Sequence, residues 1–579
     1  MKKYFYTFVS MLKRLLIQMK DLRLRSSVYY YLFLLVNSIP SLFLFFTEPY
    51  NLSGRLTLVV FPLSLYFILT SLSRRIGYSQ LWMLPLFFFH AFQLVVFTLF
   101  KEDVVAVDMF LNLATTNASE AGELLGSILI PTLAVCLGYL SMLVATISIY
   151  RRKVYFRALT QKRHLLIGIL GLVASSLLFT QSKDLNIKSY TLHEDVYPIN
   201  VLYNMGFAIN KWHKVQNYPL TSASFTYAAS KAPNSSASRE VYVLVIGETA
   251  RADNWSLYGY TRPTTPLLDK DKHVVCFKDA LTQSNTTHKS VSILLAPASA
   301  EDYSTIYTQK SLIEAFNEVG FTTVFLSNQA RNGSFVEFFG SEADHVEYYR
   351  SQLIKTNHLD DVLLTRLQHY IASQTGNLLV VLHTYGSHFN YGERYPNKFK
   401  VFTPDEFSRI DPGNKEQMLN AYDNSIRYTD SFLARIGDLL VESGSCASYL
   451  YISDHGEDIM DDERNRFLHA SPNPTYYQLR VPFISWFSPE YQKIYPDKYA
   501  AALLNSTQPV GSNAVFHTFL DVAGIDTRYL KEEQSLVSTQ FKPSARMYLG
   551  DHDTPVPYYQ MNLKEQDKER IAAAGLSKE

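Results

Sequence analysis

Cysteine is scarce in this chain, with 3 in 579 residues. Cys136 falls inside a long apolar run, so only Cys276 and Cys446 remain for everything else. That excludes the dense disulfide framework of a small secreted scaffold. One bridge between those two stays open beside the favoured reading of two unpaired, buried thiols. Cys446 follows a helical pattern, Cys276 lies in a strand pattern, and nothing in the sequence brings them together. An excess of either charge is lacking too. Lys and Arg number 54 against 53 Asp and Glu, for a net charge of +1, and mean hydropathy is −0.05. That balance argues against a nucleic-acid partner. No cleavable signal peptide is evident, because 28 residues precede the first apolar run, more than such a leader allows. Neither an internal repeat nor a low-complexity tail is found beyond the charged C-terminus.

Long hydrophobic runs are abundant, and all lie before about residue 181. Five reach or approach the roughly 20 apolar residues that span a bilayer: Tyr29–Phe46, Leu56–Leu72, Leu81–Phe100, Leu124–Tyr150 and Leu165–Thr180. Lys and Arg collect before the first run (Lys2, Lys3, Lys13, Arg14, Lys20, Arg23, Arg25). They collect again after the second (Arg74, Arg75) and the fourth (Arg151, Arg152, Lys153, Arg157, Lys162, Arg163). The positive-inside rule then makes the N-terminus cytoplasmic. Five crossings place the chain after the last span on the far side, with the first span directing insertion. The expected organisation is a membrane domain over 1–183, a juxtamembrane helix and linker over 184–239, and an exported domain over 240–579. Within the connector, Val196–Trp212 has the look of a helix lying on the membrane surface, and Thr221–Arg239 reads as a flexible Ser/Ala-rich linker.

The exported half alternates short β-branched runs with helical stretches. Expected strands are Val241–Gly247, Thr322–Ser327, Leu378–Leu382, Ser448–Ser453 and Pro482–Trp486. Expected helices are Gln309–Val319, Asp360–Ser373, Lys415–Glu442 and Asn513–Ala523. Strand, helix, strand in that order predicts an α/β domain around a largely parallel sheet.

Two of these strands end in chemistry. One apolar run closes on Gly247-Glu248-Thr-Ala-Arg251, and another on Ser453-Asp454-His455-Gly456-Glu457-Asp458. In open α/β sheets, ligands sit outside the carboxyl ends of strands. Glu248, Asp454 and His455 therefore suit one metal ion, with Gly456 allowing the sharp turn that lets adjacent Asp and His face it. A hydrogen-bonded Asp–His pair capping a helix is the plainer alternative. A hydroxyl cluster, Ser284-Asn-Thr286-Thr287-His-Lys-Ser290, precedes the apolar stretch Val291–Leu295. Such a cluster ordinarily N-caps a helix. The same helix end also favours a phosphate, and a metal or a base would make a threonine there a nucleophile.

These segments occur in a fixed order. Gly-Glu248-Thr-Ala-Arg is followed by the Asn-Thr-Thr cluster and then by Gly386-Ser387-His388 with Arg394-Tyr395-Pro396. Asn424-Ser-Ile-Arg-Tyr-Thr-Asp430 and Ser453-Asp-His-Gly-Glu457 complete the set. The ordered set resembles the membrane phosphoethanolamine transferases that modify lipid A or the lipopolysaccharide core, in the alkaline phosphatase and sulfatase superfamily. The resemblance covers nearly the whole chain and implies an α/β catalytic domain behind five membrane helices.

Carried over residue by residue, the resemblance makes Glu248, Asp454 and His455 ligands of a catalytic zinc, with manganese as the alternative. Thr287 would be both nucleophile and fourth ligand, with Thr286 as its competitor. His388 and His469 would contact phosphate, unless they are ordinary surface or capping histidines. Asn112, Thr116 and Glu120, spaced i, i+4 and i+8, share one helix face and would bind the ethanolamine head group; a merely solvated face is the alternative. The implied donor is phosphatidylethanolamine and the implied acceptor lipid A or lipopolysaccharide. The implied setting is the inner membrane of a Gram-negative bacterium, with the catalytic domain in the periplasm of a monomer. The chain departs from the family in lacking its several disulfides, and in carrying Asn-Thr where the family has Cys-Gly before the threonine. It has only Arg331 to stand in for a family lysine. The enzymatic rival is a phosphoglycerol transferase acting on periplasmic glucan or another envelope glycan. A sulfatase is disfavoured, because no Cys/Ser-x-Pro-x-Arg sequence is present. A membrane-tethered binding protein on a degenerate hydrolase fold is the non-enzymatic rival.

Overall fold

A strand with no polar alternation must be buried on both sides, and Glu240–Gly247 (β1) is buried throughout its eight residues. In a computed structural model of the protein, Val241, Val243 and Val245 enter one core while Tyr242, Leu244 and Ile246 enter the other. The structure describes residues 22–100, 104–115, 118–183, 190–232, 239–350, 358–407, 409–561 and 563–577. β1 is central in a seven-stranded sheet. The other strands are β2 (Val274–Cys276), β3 (Thr322–Ser327), β4 (His345–Tyr348), β5 (Leu378–His383), β6 (Cys446–Ser453) and β7 (Phe483–Phe487). Their order is β2-β7-β6-β1-β5-β3-β4. β1 pairs in parallel with β5 and β6, and β3 with β4 and β5, while β7 runs antiparallel to β6 and β2. In-register pairing of Gly247 with Ser453 brings the ends of β1 and β6 side by side. That juxtaposition sets up the site.

Helices Leu312–Glu318, Asp361–Ser373, Lys415–Glu442 and Ala514–Ala523 stand where helical periodicity predicts them. The fold class is as expected, with two additions. β4 escapes the pattern because its four residues lie at a sheet edge and none is fully buried. The stretch read as a flexible linker is partly structured: Ser230–Lys231 pairs with Ile525–Asp526, and Tyr227 is fully buried. Glu318 holds this stretch by accepting from Tyr227 N at 2.8 Å and Ala229 N at 2.7 Å. Cys136, Cys276 and Cys446 are all free.

The chain forms two compact units, with breaks after Ala106, Ser127 and Gly206. The first unit holds the apolar helices. Among the described residues, four are long and apolar enough to cross a membrane: Ser26–Thr47, Leu52–Ser71, Thr132–Arg151 and Ala158–Thr180. The remaining expected span divides into Tyr78–Trp82 and a 17-residue helix, Leu84–Phe100. Pro85 explains the division, since proline has no N–H to continue a preceding helix and suits the first turn of a new one. Buried polar side chains in this unit bond back to the helices, as Asn37 Nδ2 does to Phe33 O at 2.7 Å. Hydrocarbon offers them no other partner. The surface-helix expectation over Val196–Trp212 corresponds to a helix over Ile199–Gln216.

Candidate active site

β1 delivers Glu248 and β6 delivers Asp454 one step beyond their last paired residues, with His455 next in the chain. Thr249 follows Glu248 with φ of +64°, which turns the chain back toward β6. There Thr249 N donates to Asp454 Oδ1 at 3.1 Å and Ala250 N to Ser453 Oγ at 2.8 Å. The Asp454–His455 turn needs a glycine after it, but for closeness rather than for a left-handed backbone. A Cβ on Gly456 would sit 2.0 Å from Tyr477 O.

Thr286 is the N-cap of helix Thr287–Leu295, and Thr287 is its first residue. Thr286 Oγ1 lies 3.1 Å from Ser284 Oγ, within its own loop. Thr287 Oγ1 instead donates to Glu248 Oε1 at 3.4 Å and stands 3.3 Å from His455 Nε2. His455 Nε2 is 3.4 Å from Glu248 Oε1 and 3.2 Å from Asp454 Oδ2.

His455 Nε2 thus lies 3.2–3.4 Å from a ligand-type oxygen of each of Glu248, Asp454 and Thr287. His455 Nδ1 faces Gly456 O at 2.9 Å, and only a protonated Nδ1 can donate to a carbonyl. The lone pair of Nε2 therefore faces two carboxylates and a hydroxyl oxygen. Asp454 Oδ2 has no hydrogen-bond partner in bonding geometry, though it is fully buried. Ligands about 2.0–2.1 Å from a tetrahedral ion stand about 3.3–3.4 Å apart, which is the spacing found here. The residues fit a divalent cation. Burial, and then the neighbouring Asp454 charge, pushes Glu248 up to about 8. Burial pushes Asp454 up to about 7 and His455 down to about 4. A bound cation reverses that logic by favouring the ligating forms of all three.

His469 adds a further donor to the group: one ligand atom from each of Glu248, His455 and His469 lies within 4.8 Å of the others. The His469 ring is centred 4.0 Å from that of His455, and its Nδ1 is 3.2 Å from Glu457 Oε1. His388 stands one ring farther out, 6.3 Å from His469 between centroids. Its Nδ1 donates to Phe389 O at 2.7 Å, leaving Nε2 free of that bond. Arg394 Nε donates to His388 O at 2.8 Å. Burial, and then the Arg394 charge, holds the His388 imidazole well below its ordinary range.

Other singled-out residues go elsewhere. Arg331 pairs with Glu337 at 3.2 Å and lies over the Tyr348 ring. The residue that reaches Glu248 is Gln329, whose Nε2 donates to Glu248 Oε2 at 2.9 Å. Its signal was its place just past the end of β3, at the same edge of the sheet. Asp430 serves the scaffold by accepting from Leu267 N and Leu268 N at 3.0 and 2.9 Å. Asn112 is half-buried on helix Val107–Thr115. Thr116 and the side chain of Glu120 lie outside the described residues.

Comparisons with known proteins agree with this architecture. The family model described as Sulfatase matches residues 240–525. Phosphoethanolamine transferase EptA of Escherichia coli (strain K12) is 27% identical over 458 residues, 75% of this chain and 81% of that one. The C-terminal periplasmic domain of Escherichia coli EptC, solved in complex with Zn, superposes with a TM-score of 0.52 at 25% identity. That match covers 58% of this chain and 97% of the solved one. Integral membrane lipooligosaccharide phosphoethanolamine transferase A of Neisseria meningitidis shares the fold, with a TM-score of 0.66 at 21% identity. It covers 87% of this chain and 98% of its own. Residues 240–525 thus match the Sulfatase family model, and the chain is an enzyme homologous to the phosphoethanolamine transferases.

Proposed function

We propose that this enzyme transfers phosphoethanolamine from phosphatidylethanolamine to lipid A or the lipopolysaccharide core, by way of a phosphoethanolamine ester on Thr287. The observation that carries the reading is Thr287 Oγ1 standing 3.4 Å from Glu248 Oε1 and 3.3 Å from His455 Nε2, which is itself 3.2 Å from Asp454 Oδ2. The threonine oxygen bonds to the donor phosphorus as the phosphorus–oxygen bond to diacylglycerol breaks. The threonine gives up its proton and the departing diacylglycerol oxygen takes one up. In the second half, an acceptor hydroxyl or phosphate oxygen attacks the same phosphorus, loses a proton, and frees Thr287, which regains one. His388 and His469 line the approach and carry that proton, with Glu457 orienting His469 through Nδ1. Glu248, Asp454, His455 and Thr287 would hold a zinc ion, or manganese in its place, whose positive charge would acidify the threonine hydroxyl and offset charge developing on the phosphoryl oxygens. Asn112, with Thr116 and Glu120, recognises the ethanolamine head group.

The apolar helices hold the enzyme in the inner membrane of a Gram-negative cell with the catalytic domain in the periplasm. Capping an acceptor phosphate with an amine lowers surface negativity and weakens binding of cationic peptides. The test is mass spectrometry of the Thr286 and Thr287 peptides after incubating purified, metal-loaded protein with phosphatidylethanolamine. A phosphoethanolamine adduct on Thr287, absent from Thr287→Ala, is expected. An adduct only with phosphatidylglycerol would transfer the reading to phosphoglycerol chemistry. Wild-type transfer by Thr287→Ala would exclude this nucleophile.

A further inference from the structure

His469 rides on backbone that does not adopt its shape unaided. Leu468 and Ala470, on either side of it, both have positive φ, 69° and 63°. Side-chain-bearing residues hold such conformations only where their surroundings over-determine them. The loop therefore needs a fastening, and the residue that provides it comes from the nucleophile's own loop.

That residue is Asn285, two positions before Thr287 and only 2% exposed. Its main-chain oxygen accepts from Ala470 N at 3.2 Å. Its side-chain amide donates to Ser471 O at 2.8 Å and to Gln478 Oε1 at 2.7 Å. Its Oδ1 accepts from Tyr548 OH at 2.7 Å. Gln478 extends the fastening, since its Nε2 donates to Asp458 Oδ2 at 2.6 Å. Both amide hydrogens and the amide oxygen of Asn285 are committed. An aspartate here would bring no donor, and an aliphatic residue neither donor nor acceptor.

We infer that Asn285 is a positioning residue of the transfer reaction, fixing His469 against Thr287 by stitching their two loops together. The inference rests on the roles proposed above for Thr287 and His469. Asn285 reaches the reacting atoms only through its neighbours. Its removal acts by misplacing His469, and misplacement on the scale of an ångström costs about a hundredfold in rate.

The test is a double-mutant cycle on the full-length, metal-loaded protein, with Asn285→Ala and His469→Ala alone and together. It reads kcat and the donor KM with phosphatidylethanolamine, with the Thr287 adduct followed by mass spectrometry. Asn285→Ala is expected to lower kcat by about 10- to 100-fold, with donor KM changed less than about twofold. In the His469→Ala background the same substitution is expected to change kcat by less than about twofold, because coupled residues are non-additive. Tyr548→Phe removes one hydroxyl from the network and leaves the bonds of Asn285 to Ser471, Gln478 and Ala470 in place. It gives a smaller loss of the same kind, equally silent without His469, and serves if Asn285→Ala fails to fold. Independent, multiplying effects in either cycle would overturn the positioning role. Absence of any adduct in the unsubstituted protein would overturn the underlying reading of Thr287 instead.

Discussion

Lys289 Nζ lies 2.7 Å from Asp108 Oδ2, although 181 residues separate the two in the chain. Lys289 is fully buried, and Asp108 also receives His288 Nε2 at 3.2 Å. Lys211 and Asp553, 2.7 Å apart, extend the group, as does Asp551, which accepts from Val107 N at 2.9 Å. Burial alone would raise the Asp108 carboxyl, but the Lys289 and Lys211 charges outweigh it and hold it below its ordinary range. The pair pins helix Val107–Thr115, which carries Asn112, to the helix that starts at Thr287. Breaking a buried pair strands a charge, whereas replacing both partners need not. Asp108→Asn is therefore expected to cost about 3–5 kcal/mol in denaturant unfolding, and Asp108→Asn with Lys289→Met to recover most of it. A double variant as unstable as the single one would discount the ion pair.

Metal removal should show as lost stability. With free zinc about 1,000 times above its Kd, binding to the folded state contributes about 4 kcal/mol. Chelation should lower Tm and one equivalent of zinc restore it, while His455→Ala should respond to neither. An equal zinc-dependent shift in His455→Ala would place the ion somewhere else.

Gly456→Ala tests the turn directly. Its Cβ would meet Tyr477 O at 2.0 Å and Arg251 Cβ at 3.1 Å, and neither is a flexible side-chain end. A cost of about 1–3 kcal/mol or more is expected, with weaker zinc binding because His455 Nδ1 leans on Gly456 O. Unaltered zinc affinity in a folded Gly456→Ala protein would contradict this account.

A carboxyl well away from the site governs part of the pH dependence. Burial pushes Glu342 up to about 7, despite the hydrogen bonds it accepts from Ser311 and Tyr218. Between its ordinary value near 4.5 and about 7, the folded protein holds a proton that the unfolded chain has released. Stability must therefore fall as pH rises through that window and stay lowered above it. Glu342→Gln keeps the shape without the charge. It should raise Tm at pH 8 and flatten the slope from pH 5 to 7, as read by thermal unfolding across pH. An unchanged slope would count against Glu342 as its source.

Long, strongly patterned elements were legible in the sequence. The ends of β1, β3, β5, β6 and β7 fall within two residues of their expected places, and helix Lys415–Glu442 coincides with its pattern. Continuous apolar runs of that kind have few places to go but a doubly covered sheet. The gathering of Glu248, Asp454 and His455 was legible for a related reason: parallel neighbours deliver their ends to one edge; Thr287, at the start of a helix, was singled out by the family resemblance. What stayed hidden depends on three-dimensional neighbours. Gln329 differs in no local way from other polar loop residues, and its partner lies 81 positions away. The need for glycine at 456 comes from Tyr477 O, which no local turn rule contains. Asn285 looked like a departure from a family pattern, and its hydrogen bonds are visible only once Ser471, Gln478 and Tyr548 are brought beside it.

The free thiols bear on how the protein is made. Cys276 and Cys446 sit on β2 and β6, separated by β7, so reaching the native state involves no oxidation step. The exported domain need not wait for a thiol oxidase or an isomerase to sort its pairings. No thiol pairing has to be made for it to fold, and a reducing environment would still permit its assembly.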